Sequence, residues 1–323
     1  MTDNNIWQVV QPDKHTKLST LEDRAKDLAR NSRSPNTQGA YMEDWNRFCA
    51  WCNEQQLESM PASPKTVALY LSAHAEALKP ATLFRHLISI SVVHEAEGAP
   101  NPVKTPIVKS VFQGICRLQG IVQRKVAPLR AEHLKRLDEV LPNNIQGIRD
   151  KAICLVGYAG AFRRSELIAL AYDDVVFQKQ GMRLFLRRSK TDQKARGSVK
   201  DVNAVPDSPT CPVAALKEWF RVSRIKSGPV FRALSRSGKV SSRGMDPQSI
   251  AVIVKRVAGL LGLPEENYSG HSLRAGFVTD GIKNGLSTQV IRMVTGHRSD
   301  GALEEYFREA DAFGYEITSK LGL

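Results

Sequence analysis

Cysteine is scarce in this chain. Five residues in 323 (Cys49, Cys52, Cys116, Cys154 and Cys211) are too few and too scattered for a disulfide framework. Cys49 and Cys52 form a CxxC, but it sits inside a helical pattern with no second pair to complete a zinc site, so no metal role is expected there. No apolar stretch approaches the roughly 20 residues of a membrane span, and Met1 to Gln11 lacks the basic start and apolar run of a signal peptide. The expectation is a cytoplasmic protein with reduced thiols and no membrane partner. A GxxxxGK(S/T) loop is missing, which argues against ATP-driven work, and so is an HExxH zinc motif. There are no internal repeats, low-complexity tracts or long charge runs. Acid is in short supply as well: 33 Asp and Glu face 46 Lys and Arg, a formal charge of +13 with a pI near 9.6. Such an excess points to a polyanionic partner, because each neutralised phosphate releases condensed counterions. Ribosomal, RNA-binding and membrane-surface proteins carry the same balance, and among these nucleic-acid binders are favoured.

What is present is an ordinary globular composition, 42% hydrophobic and 24% charged, in a chain longer than one core usually serves. Two domains are therefore expected. The first reads as successive amphipathic helices: one through Leu18, Leu21, Ala25 and Leu28, then one with Tyr41, Trp45, Phe48 and Cys52 on a single stripe. Ser63-Pro64 forms an N-cap and N1 pair for a helix carrying Val67, Tyr70 and Leu71. Pro80 opens a helix with Leu83, Leu87, Ile90 and His94, and a fifth carries Ile107, Val111, Ile115 and Leu118. Gln123 to Pro128 has no apolar period and ends in proline, so it reads as a linker. Beyond it come a helix with Leu134, Leu137 and Leu141 and another from about Ile148 to Ala159. Two β-prone runs, Met182 to Arg188 and Val199 to Val205, are separated by the polar segment Asp192 to Gly197, a hairpin signal. Helical periodicity returns at Val213 to Val222, Gln248 to Leu261, Ser272 to Lys283 and Ser287 to Thr295. The expected architecture is mainly α, with a helical N-terminal domain over 15–122 and, over 128–323, a second domain carrying a small β-sheet.

The chemistry-bearing residues lie in the second half. In Gly160-Ala-Phe-Arg163-Arg164-Ser-Glu166, Arg163 and Glu166 stand one turn apart and can touch. Lys190 lies in Arg188-Ser-Lys190-Thr191 beside the hairpin tip. His271 and Arg274 sit at i, i+3 on one helix face behind Gly270, Gly296-His297 closes the next helix, and Tyr306 follows nine residues later. Each piece has an ordinary structural reading: a solvated Arg–Glu pair, a solubilising lysine, a C-cap, a core tyrosine. Taken in order, Arg163 with Glu166, Lys190, His271-x-x-Arg274, Gly-His297 and Tyr306 resemble the full catalytic series of the tyrosine recombinase (lambda integrase) family, over roughly residues 128–310. In the first half Asn36-Thr37, Trp51-Cys52 and Thr82 to Leu87 look similar to the core-binding domain of Cre-type recombinases.

That resemblance implies an all-α core-binding domain and an α+β catalytic domain clamping double-stranded DNA with inverted-repeat sites, and a homotetramer on two DNA sites. It implies cleavage and rejoining through a 3′-phosphotyrosine intermediate and a Holliday junction, with no cofactor, ATP or metal. Tyr306 would be the nucleophile, Arg163 and Arg274 the phosphate clamps, Lys190 the general acid, His271 a proton-transfer or phosphate group, His297 a phosphate hydrogen-bonding partner, and Glu166 the support of Arg163 or His271. The residue types suit that reaction. Guanidiniums grip non-bridging oxygens bidentately and keep their charge at neutral pH, and cationic neighbours favour the phenolate of a tyrosine whose pKa is ordinarily about 10. By similarity to Cre-type recombinases Arg85 is an expected DNA contact, and Gln248 and Lys255, on a helix of the second domain, are further candidates; the ordinary reading of each is an exposed solubilising side chain. A type IB topoisomerase shares the chemistry but not the N-terminal helical domain. A non-catalytic DNA-binding protein would tolerate loss of Tyr306 or an arginine, and an RNA-binding protein should carry an aromatic RNP-type motif. After Tyr306, Phe313, Ile317 and Leu321 recur every four residues, one apolar helical stripe that needs a partner surface; it can fold back on its own domain, whereas the family resemblance implies that it reaches into a neighbouring subunit.

Overall fold

Proline opens helix after helix in the first half of the chain, where its missing N–H costs nothing and its fixed φ is already helical. The computed structural model describes residues 20, 21, 24, 35–120, 126–187, 197–296, 301, 303 and 306. Two compact units divide the chain, Met1–Gln123 and Arg124–Leu323. Among the described residues no helix is long and apolar enough to cross a membrane.

The first unit contains α1 (Pro35–Glu54), α2 (Pro64–His74), α3 (Pro80–Ala96) and α4 (Pro106–Gln119), the last three with proline in the first turn. Ser63 caps α2 by accepting the Thr66 N–H through its hydroxyl. The stripe of α1 is core: Phe48 and Cys52 are fully buried and pack with Val67, Tyr70, Leu71, Leu83, Leu87 and Ile90. The Phe48 and Tyr70 rings meet edge to face at 5.1 Å. On α4 the buried face differs from the expected one. Val108 and Ile115 are buried, whereas Ile107 is 49% and Leu118 90% exposed. The helix turns its i, i+3, i+4, i+7 stripe (Val108, Val111, Phe112, Ile115) inward, and Ile107 falls about 100° away from it. The helix predicted through Leu18 and Leu28 lies largely outside the described residues.

In the second unit the predicted helix through Leu134 and Leu141 is two single turns, α5 (Ala131–Leu134) and α6 (Leu137–Val140), with Leu141 already extended beyond them. Leucines at this spacing bury equally well from a broken helix, so periodicity alone misses the break. The central element is α7 (Ile145–Ala159), whose residues Ala152 to Val156 are all buried. After α8 (Arg164–Ala169) the chain forms an antiparallel sheet of β1 (Val175–Phe177), β2 (Gly181–Leu186) and β3 (Ser198–Asn203), in that order. The predicted hairpin pairs Gly181 with Asn203 through Leu186 with Ser198; residues 188–196 of its tip are outside the described ones. Strand β1 and a second hairpin, β4 (Arg232–Leu234) with β5 (Val240–Gly244), were not foreseen, being too short or too polar to display a period of two. Helices α9 (Pro212–Ser223), α10 (Pro247–Leu260), α11 (Ser272–Lys283) and α12 (Thr288–Thr295) complete the unit. Helix α7 packs against α9 and α11 around Trp219, Leu216, Ile153 and Leu273.

The end of the segment read as a linker is tied into the second unit. Ala127 N–H donates to the Asn267 carbonyl and Leu129 N–H to that of Ser272. Gly276 makes this approach possible, since a Cβ there would lie 2.0 Å from the Leu129 carbonyl oxygen. Asp280, one turn further along α11, accepts from Arg130 Nε, the Ala131 N–H and Tyr158 Oη, which fixes the start of the unit against the helix that carries Arg274.

Candidate active site

The turn between α7 and α8 reverses through Ala161, a non-glycine residue at φ 46° and fully buried. This left-handed conformation costs an L-residue roughly 1 kcal/mol, and it aims the Ala161 carbonyl at Arg274, whose Nη1 donates to it at 2.8 Å. Two residues on, Arg163 is the N-cap of α8 in extended conformation. Glu166, at the third helical position, takes the Arg163 N–H on Oε2 at 3.0 Å and the Arg163 guanidinium on Oε1 at 2.6 Å. Burial by itself would raise the pKa of this 3%-exposed carboxyl, but the Arg163 hydrogen bonds and charge outweigh it and the pKa is lowered. Glu166 is an anion at neutral pH, and Arg163 is held in place by it.

Arg274 follows from the first turn of α11 and is completely buried. Its Nε and Nη2 have no hydrogen-bond partner among the described residues. Burial, then repulsion by Arg163, pulls its pKa down to about 10, while Glu166 and Tyr306 act in the opposite sense. A buried guanidinium with two unmet donors costs on the order of 1–3 kcal/mol per orphaned group, a cost an anionic ligand would remove. His271, the N-cap of α11, keeps exposed surface and places Nε2 3.2 Å from Tyr306 Oη. Desolvation by the surrounding protein, followed by the charges of Arg274, Arg163 and Arg164, lowers the His271 pKa, so the ring is neutral near pH 7 and can accept a proton. Tyr306 is half-buried and packs against Val278, Ile282, Ile291 and Leu303 of the same chain.

Arg163, Glu166, His271, Arg274 and Tyr306 thus lie in one cluster. Lys190 and His297, together with the tail stripe of Phe313, Ile317 and Leu321, are outside the described residues. The helix end that precedes His297 is described: Gly296 closes α12 at φ 69°, a left-handed C-cap that favours glycine. Sequence reasoning passed over Lys200, which is 8% exposed on β3 and senses Glu166, Arg274 and Arg163. The sequence did not reveal it, since Val199 and Val202 lie in opposite phases of the strand and only the structure turns the phase of Lys200 and Val202 inward. Gln248, exposed at the start of α10, accepts from Arg164 Nη1 at 2.9 Å and so borders the cluster, while Lys255 is exposed two turns along. Arg85, in the first unit, is half-exposed and forms a two-pronged pair with Asp44. Among the described residues no group of three His, Cys, Asp or Glu side chains could hold a metal ion. The cluster is cationic around one buried acid and carries unmet N–H donors beside a tyrosine, which suits an anionic phosphoryl group.

Residues 128–312 match the model of the phage integrase family. The integrase/recombinase XerD homolog of Selenomonas ruminantium is 35% identical over 294 residues, 90% of this chain and 86% of that protein. Recombinase Cre of Escherichia phage P1 is 23% identical over 287 residues, 82% of this chain and 81% of that one. Among solved structures, the Tn1549 transposon integrase in complex with transposon right end DNA matches in fold with a TM-score of 0.62 at 14% identity, covering 93% of this chain and 98% of that chain.

Proposed function

The chain belongs to the phage integrase family and is a tyrosine site-specific recombinase, and from that premise we propose that it breaks and rejoins DNA through a 3′-phosphotyrosine bond to Tyr306. One observation carries the reading: Tyr306 Oη is 3.2 Å from a neutral His271 Nε2, with the unmet donors of buried Arg274 in the same cluster. Phosphoryl displacement spreads negative charge over the non-bridging oxygens, and positioned cations lower its barrier. Arg274 and Arg163 hold the scissile phosphate, the first by its open Nε and Nη2, the second braced by Glu166. His271 takes the phenolic proton as Tyr306 Oη attacks phosphorus, and the bond to the 5′-oxygen breaks. Lys190 gives that oxygen its proton, and His297 hydrogen-bonds the phosphate. The phosphotyrosine conserves the bond energy of the phosphodiester, so attack by a 5′-hydroxyl of the partner strand needs no nucleotide.

Tyr306 rests against His271 of its own chain, which supports cleavage in cis. Strand exchange through a Holliday junction then requires four protomers on two inverted-repeat sites, with the helical first unit and the face of Gln248 and Lys255 contacting the duplex. The test uses duplexes selected from random DNA by the protein itself, nicked so that the short fragment bearing the released 5′-hydroxyl diffuses away. Wild-type protein forms a covalent adduct, and Tyr306→Phe binds equally but forms none. An adduct with Tyr306→Phe transfers the nucleophile to another residue and ends the reading.

A further inference from the structure

A lysine in the inward phase of a strand is uncommon, because an ammonium is among the costliest groups to bury. Lys200 stands opposite Leu184 in the β2–β3 ladder and is 8% exposed, with Val202 as its buried neighbour in phase. Its surroundings account for the burial. Nζ donates to the carbonyl of Val294, in the last turn of α12, where helix carbonyls have no partner of their own and the dipole favours a cation. The same Nζ lies 5.2 Å from the centroid of the buried Phe162 ring, which directly precedes Arg163. Among the described residues the charged groups facing it are Glu166 on α8, Arg163 in the turn before α8, and Arg274 on α11; α12 contributes the Val294 carbonyl, and β2 the apolar Leu184.

We propose that Lys200 is a positioning residue of the cleavage site: its ammonium ties the last turn of α12 to β3 and to the turn carrying Phe162, Arg163 and Glu166, and so holds the phosphate-binding arginines in register. This rests on the recombinase reading of the cluster. None of the chemistry assigned to Arg163, His271, Arg274 or Tyr306 passes through Lys200, whose proton stays in place during the reaction. Burial, which outweighs the pull of Glu166, lowers its pKa to about 8, within reach of ordinary assays. The tie is complete while the ammonium is protonated and is lost as pH rises through that value. Phosphate arriving beside the arginines favours the protonated form and tightens the same contacts.

Single-turnover cleavage of the nicked selected duplex is compared between wild type, Lys200→Met and Lys200→Arg, with affinity measured by gel shift and folding by thermal melt. A misplacement of the clamps by about 1 Å costs about 100-fold in rate. Lys200→Met is expected to lose that much cleavage while its DNA affinity stays within about threefold, since phosphate contacts elsewhere dominate binding. Lys200→Arg restores most of the rate, and its activity extends to higher pH than that of the wild type, because a guanidinium stays charged there. Wild-type cleavage by Lys200→Met, or failure of arginine to recover any of the loss, overturns the proposal. Should Lys200→Met not fold, the alkaline limbs of wild type and Lys200→Arg carry the test, and superimposable limbs overturn it. Wild-type and Tyr306→Phe controls run alongside, so that absence of any adduct with wild type marks failure of the recombinase chemistry instead.

Discussion

Two of the molecule's buried ionic clusters, one taken from each unit, are built from similar residues and differ in completeness. In the first unit Asp44, 1% exposed, accepts Arg85 Nε and Nη2 at 2.6 and 2.8 Å, and His86 Nε2 lies 3.2 Å from it. The other nitrogen of His86, Nδ1, is 2.8 Å from Tyr70 Oη. Each buried polar atom named there has a partner. In the second unit Glu166 is equally well met, but Arg274 beside it has two donors with no partner among the described residues. A satisfied network in low dielectric rigidifies a core, whereas an unsatisfied one holds free energy that only a ligand releases. The first cluster therefore reads as architecture and the second as a site.

Substituting each cluster in turn is the sharpest way to break that contrast. Arg274→Met should lower single-turnover cleavage by about 100- to 1,000-fold, the cost of removing a preorganised donor from a developing oxyanion. Its melting temperature should hold or rise, because a buried charge replaced by an apolar side chain of similar volume is often neutral or stabilising. A steep loss of stability would place Arg274 with the architecture instead. Asp44→Ala should do the reverse to its own unit, costing about 2 kcal/mol in thermal or denaturant unfolding as buried charge-assisted hydrogen bonds are lost, a figure already discounted for the half-exposed Arg85. An unchanged melt would mean that the Asp44 cluster contributes nothing to folding. Inorganic phosphate supplies the missing partner directly. At about tenfold above its dissociation constant it should stabilise wild type by about 1.4 kcal/mol and Arg274→Met far less, so equal shifts in calorimetry would unseat the idea of a waiting site.

The smallest expected effect concerns acid. Burial lowers the His86 pKa below its ordinary 6.5, against the pull of Asp44 and with the help of Arg85. The unfolded chain therefore binds a proton that the native one resists, so this stability is present above about pH 6.5 and is lost as pH falls through the lowered value. Melts of wild type and His86→Gln between pH 7 and 5 should converge toward the acid end, and parallel curves would remove His86 from the acid response.

Most of the fold was legible in local pattern. Helix α11 was predicted over Ser272 to Lys283 and has those bounds, and the prolines at 64 and 80 mark where α2 and α3 begin. Strands β1, β4 and β5 were illegible because three to five residues do not display a period, and their pairing comes from neighbours distant in sequence. The members of the second cluster were named in the sequence through their resemblance, in order, to the family's catalytic series. The state of each was not legible there. Arg85 gave no sign in the sequence of its partner Asp44, which is 41 residues away on another helix. Nothing local marks Lys200, whose Val294 carbonyl partner is brought to it by α12.

By itself, then, the sequence determined which residue types stand at which intervals, and with them the helices, the hairpin and the inventory Arg163, Glu166, His271, Arg274 and Tyr306. Only the tertiary structure decided which of those charges are met and which are left open. Periodicity is a property of a few adjacent residues, whereas burial and the pairing of a buried charge depend on whatever chain segments packing brings within hydrogen-bonding reach.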